Sequence, residues 1–510
     1  MSHPPKEVVP VESKPWQTGL APVYIGLFLW IAFFDQIGRR TLPAAGLGWS
    51  LLGALAAGPL GYLLLFRVPA MWGQQTGRPL AVVSTSTFGN SGARLVPGLL
   101  SGIAQVVWFA VATGYAVELT FQGLALGQFL DPRVLRPTQV GGMTLQSPLF
   151  LATALFWCIT VGLVGGWFVR WIAALMQVFP IFPAVLLSAV MLAMLGGLGT
   201  YRPIGFDGLT GEAVAGTEAG LRAFLLVIQA IFAFTAMAGV TAADWGSASL
   251  GPRDVRMGGW FGVGLAPVLI ATLGLLSVAG YRGGLSERPI AAVPAPGQGD
   301  SHLEEQTAQG LAMARPSEAP LAVPPYTFRE VLAGGFDRRL ACLMLLIFGL
   351  ASLAPACYAA FDFGHRFKAI APGLSRLSWT IIGASAAWFL IVGGWYDRID
   401  AVFGALGAAF APVAGAMAAD YRRHGGNWPG PRRGINPPGL IAWGLGLAVG
   451  LLPLIGRGIG HAPLARFQPA SVWAFVVAFL AYEILAGLGL ESGRDLTRKT
   501  DPEKGIAEAT

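Results

Sequence analysis

Residues 33–40 read Phe-Phe-Asp-Gln-Ile-Gly-Arg-Arg and interrupt the first long apolar run of the chain with three charged residues, a glutamine and a glycine. Charge inside a membrane-spanning segment is costly and is by default functional. A break in a spanning helix is tolerated only where protein or a water-filled cavity receives the freed backbone groups. The stretch therefore predicts a first membrane span that is broken at Gly38 and lies beside a binding site.

A plainer interpretation of the same residues stays open. Pro43 follows closely, so Arg39 and Arg40 could end a short helix at the membrane surface, with Asp35 as an ion-pair partner at helical spacing. If either arginine lines a cavity instead, the substrate carries an anionic group such as a carboxylate. Asp35 at the break could bind a sodium ion or accept a proton, which would couple transport to a cation.

A second unusual stretch, residues 232–245, reads Phe-Ala-Phe-Thr-Ala-Met-Ala-Gly-Val-Thr-Ala-Ala-Asp-Trp. Small residues dominate it and Gly239 lies in its middle, which predicts a second helix break; close helix packing is the alternative. Secondary transporters place broken helices at corresponding positions of two inverted halves. Breaks in the first and sixth spans, five helices apart, predict a repeat of five plus five helices followed by two accessory helices.

The composition around these stretches is that of a protein embedded in a membrane. Of the 510 residues, 54% are hydrophobic and 12% are charged, whereas a soluble domain carries about 25% charged residues. Twelve apolar runs approach the length of about 20 residues that a spanning helix needs. Their approximate ranges are 22–46, 48–70, 97–124, 147–168, 171–197, 221–247, 258–280, 340–360, 377–394, 400–418, 438–457 and 470–490. We expect an all-α integral membrane protein with 12 transmembrane helices.

The Lys and Arg residues between the runs predict an orientation. With the N-terminus in the cytoplasm, 19 of the 34 Lys and Arg residues lie on that side. The opposite side holds 15, of which six lie in one long loop that the positive-inside rule discounts. Cytoplasmic tails at 1–20 and 491–510 then flank a transporter domain at 21–490 in the cytoplasmic (inner) membrane. The net charge of +7 fits contact with anionic lipid, with no nucleic-acid partner.

Two features predict no site of their own. The loop between the seventh and eighth runs covers about 281–339, and its middle, Ile290 to Pro325, is rich in Ala, Pro, Gly, Glu and Gln without periodicity. Such a segment is predicted to be a flexible insertion rather than a second domain. Cys158, Cys342 and Cys357 lie in apolar stretches without disulfide or metal spacing, which predicts ordinary buried residues.

Four motifs in register resemble the nucleobase–cation symporter family, which contains cytosine, hydantoin and allantoin permeases. Residues 86–92, Ser-Thr-Phe-Gly-Asn-Ser-Gly, resemble the family signature Ser-Phe-Gly-x-x-Gly, and residues 104–109, Ala-Gln-Val-Val-Trp-Phe, resemble Gln-Val-Gly-Trp-Phe. Residues 239–245 resemble the sixth-span segment that ends in Thr-Ala-Asp-Phe, and residues 411–421 resemble the end of span ten. The order and spacing match over roughly residues 20–490, with the cytosine permease branch nearest.

The resemblance implies a leucine-transporter-like fold with alternating access. It also implies uptake of a planar nitrogen heterocycle, such as a nucleobase, hydantoin, allantoin or related vitamin precursor, coupled to Na+ or H+. It makes Trp108 the stacking aromatic of span three and Phe234 the aromatic of span six, with Phe232 as competitor. Gln36 falls near a substrate-facing glutamine of hydantoin-type members. Such a ring needs aromatic faces and fixed partners for its N–H and C=O groups.

Some positions depart from the family pattern. Hydantoin-type members carry a second amide in span three, where this chain has Ala112 or Thr113, and Thr113 is the candidate contact. In residues 348–358 only Ser352 keeps a family hydroxyl, and Tyr358 ends the stretch as a further candidate contact. One hydroxyl with backbone carbonyls is a thin sodium site, which leaves Asp35 as the alternative place for the coupling cation. Arg39 and Arg40 also stand where relatives are small or uncharged.

Other classes of protein can be weighed against a transporter. A membrane-embedded enzyme would need a cluster of catalytic residues, but the five histidines are scattered and His365 with Asp362 is the nearest pairing. No HExxH, GxSxG, CxxC or GxxxxGK[ST] motif occurs in the sequence. A channel usually shows repeated filter segments in an oligomer, whereas two unlike broken helices favour a site within one chain. We expect a monomeric secondary transporter, not an enzyme, with no bound cofactor.

Overall fold

The computed structural model of the chain describes residues 14–29, 31–140, 143–167, 176, 178–205, 216–287 and 326–494. These residues are mainly helical. The principal helices are α1 (Leu20–Phe28), α2 (Ile31–Ala45), α3 (Leu47–Thr76), α4 (Thr85–Leu126), α5 (Pro148–Trp167), α6 (Ile181–Gly199), α7 (Gly216–Ser247), α8 (Pro252–Leu285), α9 (Phe328–Gly335), α10 (Arg338–Ile370), α11 (Arg376–Val392), α12 (Ile399–Arg423), α13 (Pro437–Gly450), α14 (Leu452–Gly458) and α15 (Ala470–Gly487). Single helical turns lie at Leu80–Val83, Pro132–Leu135, Trp395–Asp397 and Ala462–Ala465. Strands β1 (Thr138–Val140) and β2 (Met143–Leu145) pair antiparallel, with Thr138 opposite Leu145.

The helices have the length and composition of membrane spans. Within the described residues, nine are long and apolar enough to cross a bilayer, and α13 with α14, bent by 44°, makes a tenth. The two other predicted spans correspond to the pair α1–α2 and to the shorter apolar helix α11. The all-α membrane fold is therefore confirmed, and the length criterion supports nine or ten of the 12 predicted spans.

The helices differ in how deeply they are buried. The apolar window of α6 is only 17% buried inside the protein, whereas that of α12 is 78% buried. Large apolar side chains on the outer helices remain exposed, among them Phe156, Phe182 and Phe389. A bilayer needs no polar cover on such faces. We therefore assign α12 to the centre of the bundle, where it packs on α7, α13 and α15, and α6 to the lipid-facing rim.

The first span is broken, but not at Gly38. α1 ends at Phe28 and α2 begins at Ile31, so Gly38 lies within α2. α7 also runs without interruption through Gly239. The two predicted breaks are therefore wrong. Both glycines instead lie where another stretch of backbone packs closely against the helix. A Cβ at Gly239 would lie 2.9 Å from the carbonyl oxygen of Leu65, and one at Gly38 would lie 3.1 Å from that of Tyr326.

Two of the sequence motifs hold the bundle together rather than line a cavity. Gly89, with φ of 78°, bends the start of α4, and a Cβ there would lie 2.4 Å from the carbonyl oxygen of Gly434. Asn90 and Ser91 then donate backbone hydrogen bonds of 2.9 and 2.8 Å to the segment before α13. In residues 411–421 the small side chains let α12 pack closely on α15. These motifs therefore stabilise the helix contacts around α12.

The predicted loop at 281–339 is partly helical, so its boundaries are corrected. α8 continues to Leu285, and α9 forms where only loop was expected. Phe328 and Leu332 of α9 are 2% and 1% exposed, so this short helix is docked by its apolar face. Residues 288–325, which include the segment predicted to be flexible, lie outside the described residues. The three cysteines are buried and unpaired, as predicted.

Candidate substrate site

A cavity of about 400 Å³ including its open mouth lies beside the middle of α4, and we name it the Trp108 cavity. It is lined by Tyr24, Gln105, Trp108, Phe234, Met237, Ala238, Thr241 and Tyr358. These side chains come from α1, α4, α7 and α10. Three of the predicted contacts, Trp108, Phe234 and Tyr358, therefore converge on one space.

Trp108 belongs to a cluster of three rings, which we call the aromatic trio. Its ring centroid lies 5.1 Å from that of Phe234 and 5.3 Å from that of Phe403, and the last two centroids are 5.2 Å apart. The tilted and edge-on contacts are those that aromatic quadrupoles favour, and they hold the indole in place. Phe232 is fully buried but is not part of the cavity lining. The structure therefore places Phe234, and not its competitor Phe232, against Trp108.

A second cavity, of about 600 Å³ including its open mouth, lies on the other side of Phe403, and we name it the Gln36 cavity. Its polar lining consists of Gln36, Arg40, Gln229, Asp400, Arg457 and Gln468. Along α7, Gln229 of this cavity and Thr241 of the first are about 18 Å apart at 1.5 Å per residue. The two cavities thus lie at different depths, with the aromatic trio between them. Gln36 and Arg40 belong to the second cavity and not to that of Trp108.

Asp35 connects α2 to α9, and we call the ion-paired group Asp35, Glu118 and Arg329 the α9 latch. The backbone N–H of Phe328 donates to Asp35 Oδ1 at 2.6 Å, and Arg329 Nε donates to Oδ2 at 3.1 Å. Arg329 also donates to Glu118 of α4. Asp35 is therefore ion-paired, and its carboxylate is held by Arg329, 294 residues away, whereas the alternative expected a partner at helical spacing. Arg39, 8% exposed, is buried on the same helix.

Glu330 fixes the other side of α9 to α8. Arg282 Nη2 donates to both carboxylate oxygens, at 2.6 Å for Oε2, and the same guanidinium lies 4.8 Å from the centroid of the Tyr326 ring. Burial raises the pKa of Glu330 to about 7, although Arg282 opposes the shift. The docked carboxyl group therefore holds its proton more tightly than the free one. The contribution of Glu330 to the free energy of α9 docking is complete below the ordinary carboxyl pKa and is lost as pH rises through about 7.

We expect α9 to dock more firmly at pH 5 than at pH 8. Hydrogen–deuterium exchange of its backbone amides, corrected for the intrinsic exchange rate at each pH, measures this difference. Glu330→Gln should make the protection of α9 nearly independent of pH, and the amides of α12 serve as an internal reference. Equal protection of wild-type α9 at both pH values would contradict the prediction.

Gln105 joins the Trp108 cavity to a buried charge network that sequence reasoning missed. Its Nε2 donates to Asp362 Oδ2 at 2.8 Å, and Arg366 Nε donates to the same oxygen at 2.7 Å. Arg366 Nη2 also donates to Asp244 at 2.7 Å, which ties α10 to α7. Because the amide nitrogen is engaged, the amide oxygen of Gln105 is the group left for a ligand N–H. Both Gln105 and Asp244 lie within the sequence motifs that resemble the family, and this position was the sequence signal that could have identified them.

The remaining predicted residues lie elsewhere. The Thr113 hydroxyl is buried without a hydrogen-bond partner in the part of the chain that the structure describes, and Thr113 lines neither cavity. Ser352 lines a third, apolar cavity together with Leu29, and its hydroxyl donates to the carbonyl of Phe348 at 3.1 Å. Asp35 is not part of that lining. The two candidate cation residues are therefore not brought together.

No protein-family model matches the chain. The putative allantoin permease of Escherichia coli (strain K12) is 28% identical over 219 residues, which are 41% of this chain and 42% of that protein. The chain thus matches less than half the length of this curated relative.

Two solved structures are similar over 94% of the chain. One is Mhp1, a nucleobase-cation-symport-1 family transporter, in a closed conformation with bromovinylhydantoin bound, at a TM-score of 0.58, 15% identity and 94% of that chain. This chain has the fold of the nucleobase-cation-symport-1 transporters. Mhp1 in its inward-facing conformation matches at a TM-score of 0.55, 16% identity and 93% of that chain. At these identities the likeness establishes the fold, and it confirms the resemblance drawn from the four motifs.

Proposed function

We propose that the protein is a secondary active transporter that imports a planar nitrogen heterocycle by alternating access, rather than an enzyme. The observation that supports this most is the aromatic trio between two cavities at different depths. In such an arrangement a ring bound at Trp108 is reached from one side or the other as the helices around the trio move. The names of the relatives, an allantoin permease and a transporter with a bound hydantoin, agree with this substrate class.

The Trp108 cavity offers the contacts that such a ring needs. The indole of Trp108 supplies a face for stacking. The amide oxygen of Gln105 accepts from a ring N–H, and the hydroxyl of Tyr358 donates to a ring carbonyl. Tyr358 itself is held by stacking on Trp245, with ring centroids 5.8 Å apart. A buried partner left unpaired costs about 1–3 kcal/mol, so these polar contacts would select among rings of similar size.

Charged pairs lie beside both cavities and would act as gates. Arg40 of α2 pairs with Asp400 of α12 at 3.1 Å beside the Gln36 cavity. Arg366 of α10 pairs with Asp244 of α7 at 2.7 Å beyond the Trp108 cavity. We take the protein to be a monomer in the inner membrane with both termini in the cytoplasm. The pair Arg40–Asp400 then faces outward, and the pair Arg366–Asp244 faces inward. Transport would then require the two pairs to open in turn.

The coupled cation would be a proton or Na+. Asp35 is the candidate carboxylate because its partners join α2 to α9, so protonation or cation binding there would loosen that contact. Ser352 is the alternative, since it lies opposite the break between α1 and α2 in the third cavity. No resident cofactor is needed by this mechanism.

Uptake into proteoliposomes tests the proposal. We expect saturable accumulation of a radiolabelled hydantoin, allantoin or nucleobase, driven by either a pH gradient or a sodium gradient when each is imposed separately. Asp35→Asn should abolish the gradient dependence if Asp35 carries the coupling; unchanged gradient-driven uptake in this variant would reject that role. Turnover of the heterocycle by detergent-solubilised protein without any gradient would reject transport in favour of an enzyme.

A further inference from the structure

The charges that line the Gln36 cavity do not balance. Arg40 and Arg457 are positive and Asp400 is negative. Asp400 pairs with Arg40 at 3.1 Å. In the described part of the chain, the guanidinium of Arg457 hydrogen-bonds only to a backbone group, the carbonyl of Pro453 at 3.3 Å from Nε, and Asp400 attracts its charge without an ion-pair contact. The cavity therefore carries one positive charge that its own residues leave uncompensated.

Several polar atoms of the same cavity also have no partner among the described residues. Arg40 Nε and Gln468 Oε1 are buried without a hydrogen bond. Gln36 is 7% exposed and lines the cavity, and its amide makes no hydrogen bond within the described part of the protein. By contrast, Gln229 is satisfied, because it exchanges two hydrogen bonds of 2.8 Å with Ser471. A buried polar group without a partner is costly, so Arg40 Nε and Gln468 Oε1 point to a ligand that supplies partners for them.

Phe403 gives this cavity an aromatic wall, and it is the ring that the cavity shares with the aromatic trio. On α12, Asp400 and Phe403 are three residues apart and so lie on one face. Gln36 and Arg40 are four residues apart on α2 and likewise share a face. Planar guanidinium groups match the fork of a carboxylate better than any other anion-binding side chain. The cavity thus places an aromatic surface, an amide and a carboxylate-binding charge around one space.

We propose that the Gln36 cavity recognises planar heterocycles that bear a carboxylate, with the ring against Phe403 and the carboxylate between Arg40 and Arg457. This inference rests on the proposed function, since it names the charge class of the transported ring. It assigns Arg457 and Gln468 to substrate recognition together with Gln36 and Arg40. A neutral ring would occupy the same space but leave the charge of Arg457 uncompensated.

Matched ligand pairs test this inference on the purified full-length protein in lipid nanodiscs. Uracil and orotate differ only by a carboxylate, and calorimetric titration measures the affinity of each. We expect orotate to bind at least about tenfold more tightly than uracil, as one charge-assisted contact provides. Arg457→Gln should remove this preference by weakening the binding of orotate more than that of uracil, and Arg457→Lys should keep part of it. Asp400→Asn should strengthen orotate binding, because it removes the competing carboxylate.

Arg222→Gln is the matched control, since Arg222 is exposed and its ion-pair partner among the described residues is Glu218, near the start of α7. It should leave the ratio of the two affinities unaltered. An orotate preference that survives Arg457→Gln, an Asp400→Asn variant that binds orotate no more tightly than the wild type, or no preference in the wild type would each overturn the inference, while uracil binding still upholds the transporter proposal. Failure of every neutral and carboxylated heterocycle to bind would overturn both. Competition by chloride or acetate as strong as that by orotate would show a simple anion site and overturn the role of the ring.

Discussion

Arg329→Met is expected to destabilise the protein by about 3–5 kcal/mol, the cost of removing one partner from a buried ion pair. The Arg329 side chain is 13% exposed, and its guanidinium is shared by Asp35 and Glu118, whose side chains are 1% and 9% exposed. Without it, two negative charges remain in a space from which water is excluded. The variant should also loosen α9, because Arg329 ion-pairs it with both α2 and α4.

A variant without any of the three charges separates the effect of charge on stability from the effect of packing. Combining Arg329→Met with Asp35→Asn and Glu118→Gln removes all three charges, and this triple variant should regain most of the lost stability. Arg222→Met, which breaks an exposed pair on α7, should cost less than about 1 kcal/mol.

Thermal unfolding can be measured with the protein's own cysteines. Cys158, Cys342 and Cys357 are buried and unpaired, so a thiol-reactive dye reports unfolding as they become accessible. We expect the unfolding temperature of Arg329→Met to fall well below that of the wild type and of Arg222→Met. A wild-type unfolding temperature for Arg329→Met would show that the α9 latch does not hold the fold together.

Trp108→Ala is expected to weaken heterocycle binding by about ten- to hundredfold, since stacking of a base on an aromatic side chain is worth about 1–3 kcal/mol. The substitution also removes the indole from between Phe234 and Phe403, so the two cavities would no longer be separated by three packed rings. Uptake should therefore fall further than binding, because a ring that is not enclosed cannot be passed from one side to the other without leak.

Trp108→Phe should keep much of the binding, as it retains an aromatic face. Trp72→Phe is the matched control, because Trp72 is also buried but packs on Tyr421, with ring centroids 5.8 Å apart, and lines neither cavity. Thermal shift and calorimetry measure binding, and proteoliposome uptake measures transport. If Trp108→Ala binds heterocycles as tightly as Trp72→Phe does, the substrate does not stack on Trp108.

Helix positions followed from the sequence because a bilayer imposes a local rule. An apolar run of about 20 residues satisfies its backbone within the helix, whichever neighbours it packs against. The predicted run at 438–457, for example, coincides with α13 and α14, and that at 470–490 with α15. Trp108, Phe234 and Tyr358 were likewise assigned from motifs that the resemblance made recognisable, and the structure gathers them around one cavity.

The exact breaks and partners did not follow from the sequence. A glycine inside an apolar run looks the same in the sequence whether the helix breaks there or another stretch of backbone packs closely against it. Gly38 and Gly239 prove to be positions of close packing. Asp35 had a plausible partner one turn away, yet the carboxylate is held by Arg329 from a segment predicted to be loop. Phe403, Gln105 and Arg457 gained their roles only from neighbours on other helices.

For this protein, the sequence by itself determined the membrane class, the approximate spans and the family resemblance, since these depend on local apolarity and on short motifs. The tertiary structure alone decided which side chains share a cavity, where the first span breaks and what neutralises its charges. Those outcomes depend on contacts between residues hundreds of positions apart, such as the pair of Asp35 with Arg329 and the ring contact of Trp108 with Phe403. Residues 33–40, whose charges first indicated a site, therefore divide between two structures: Asp35 in the α9 latch, and Gln36 and Arg40 in a cavity of their own.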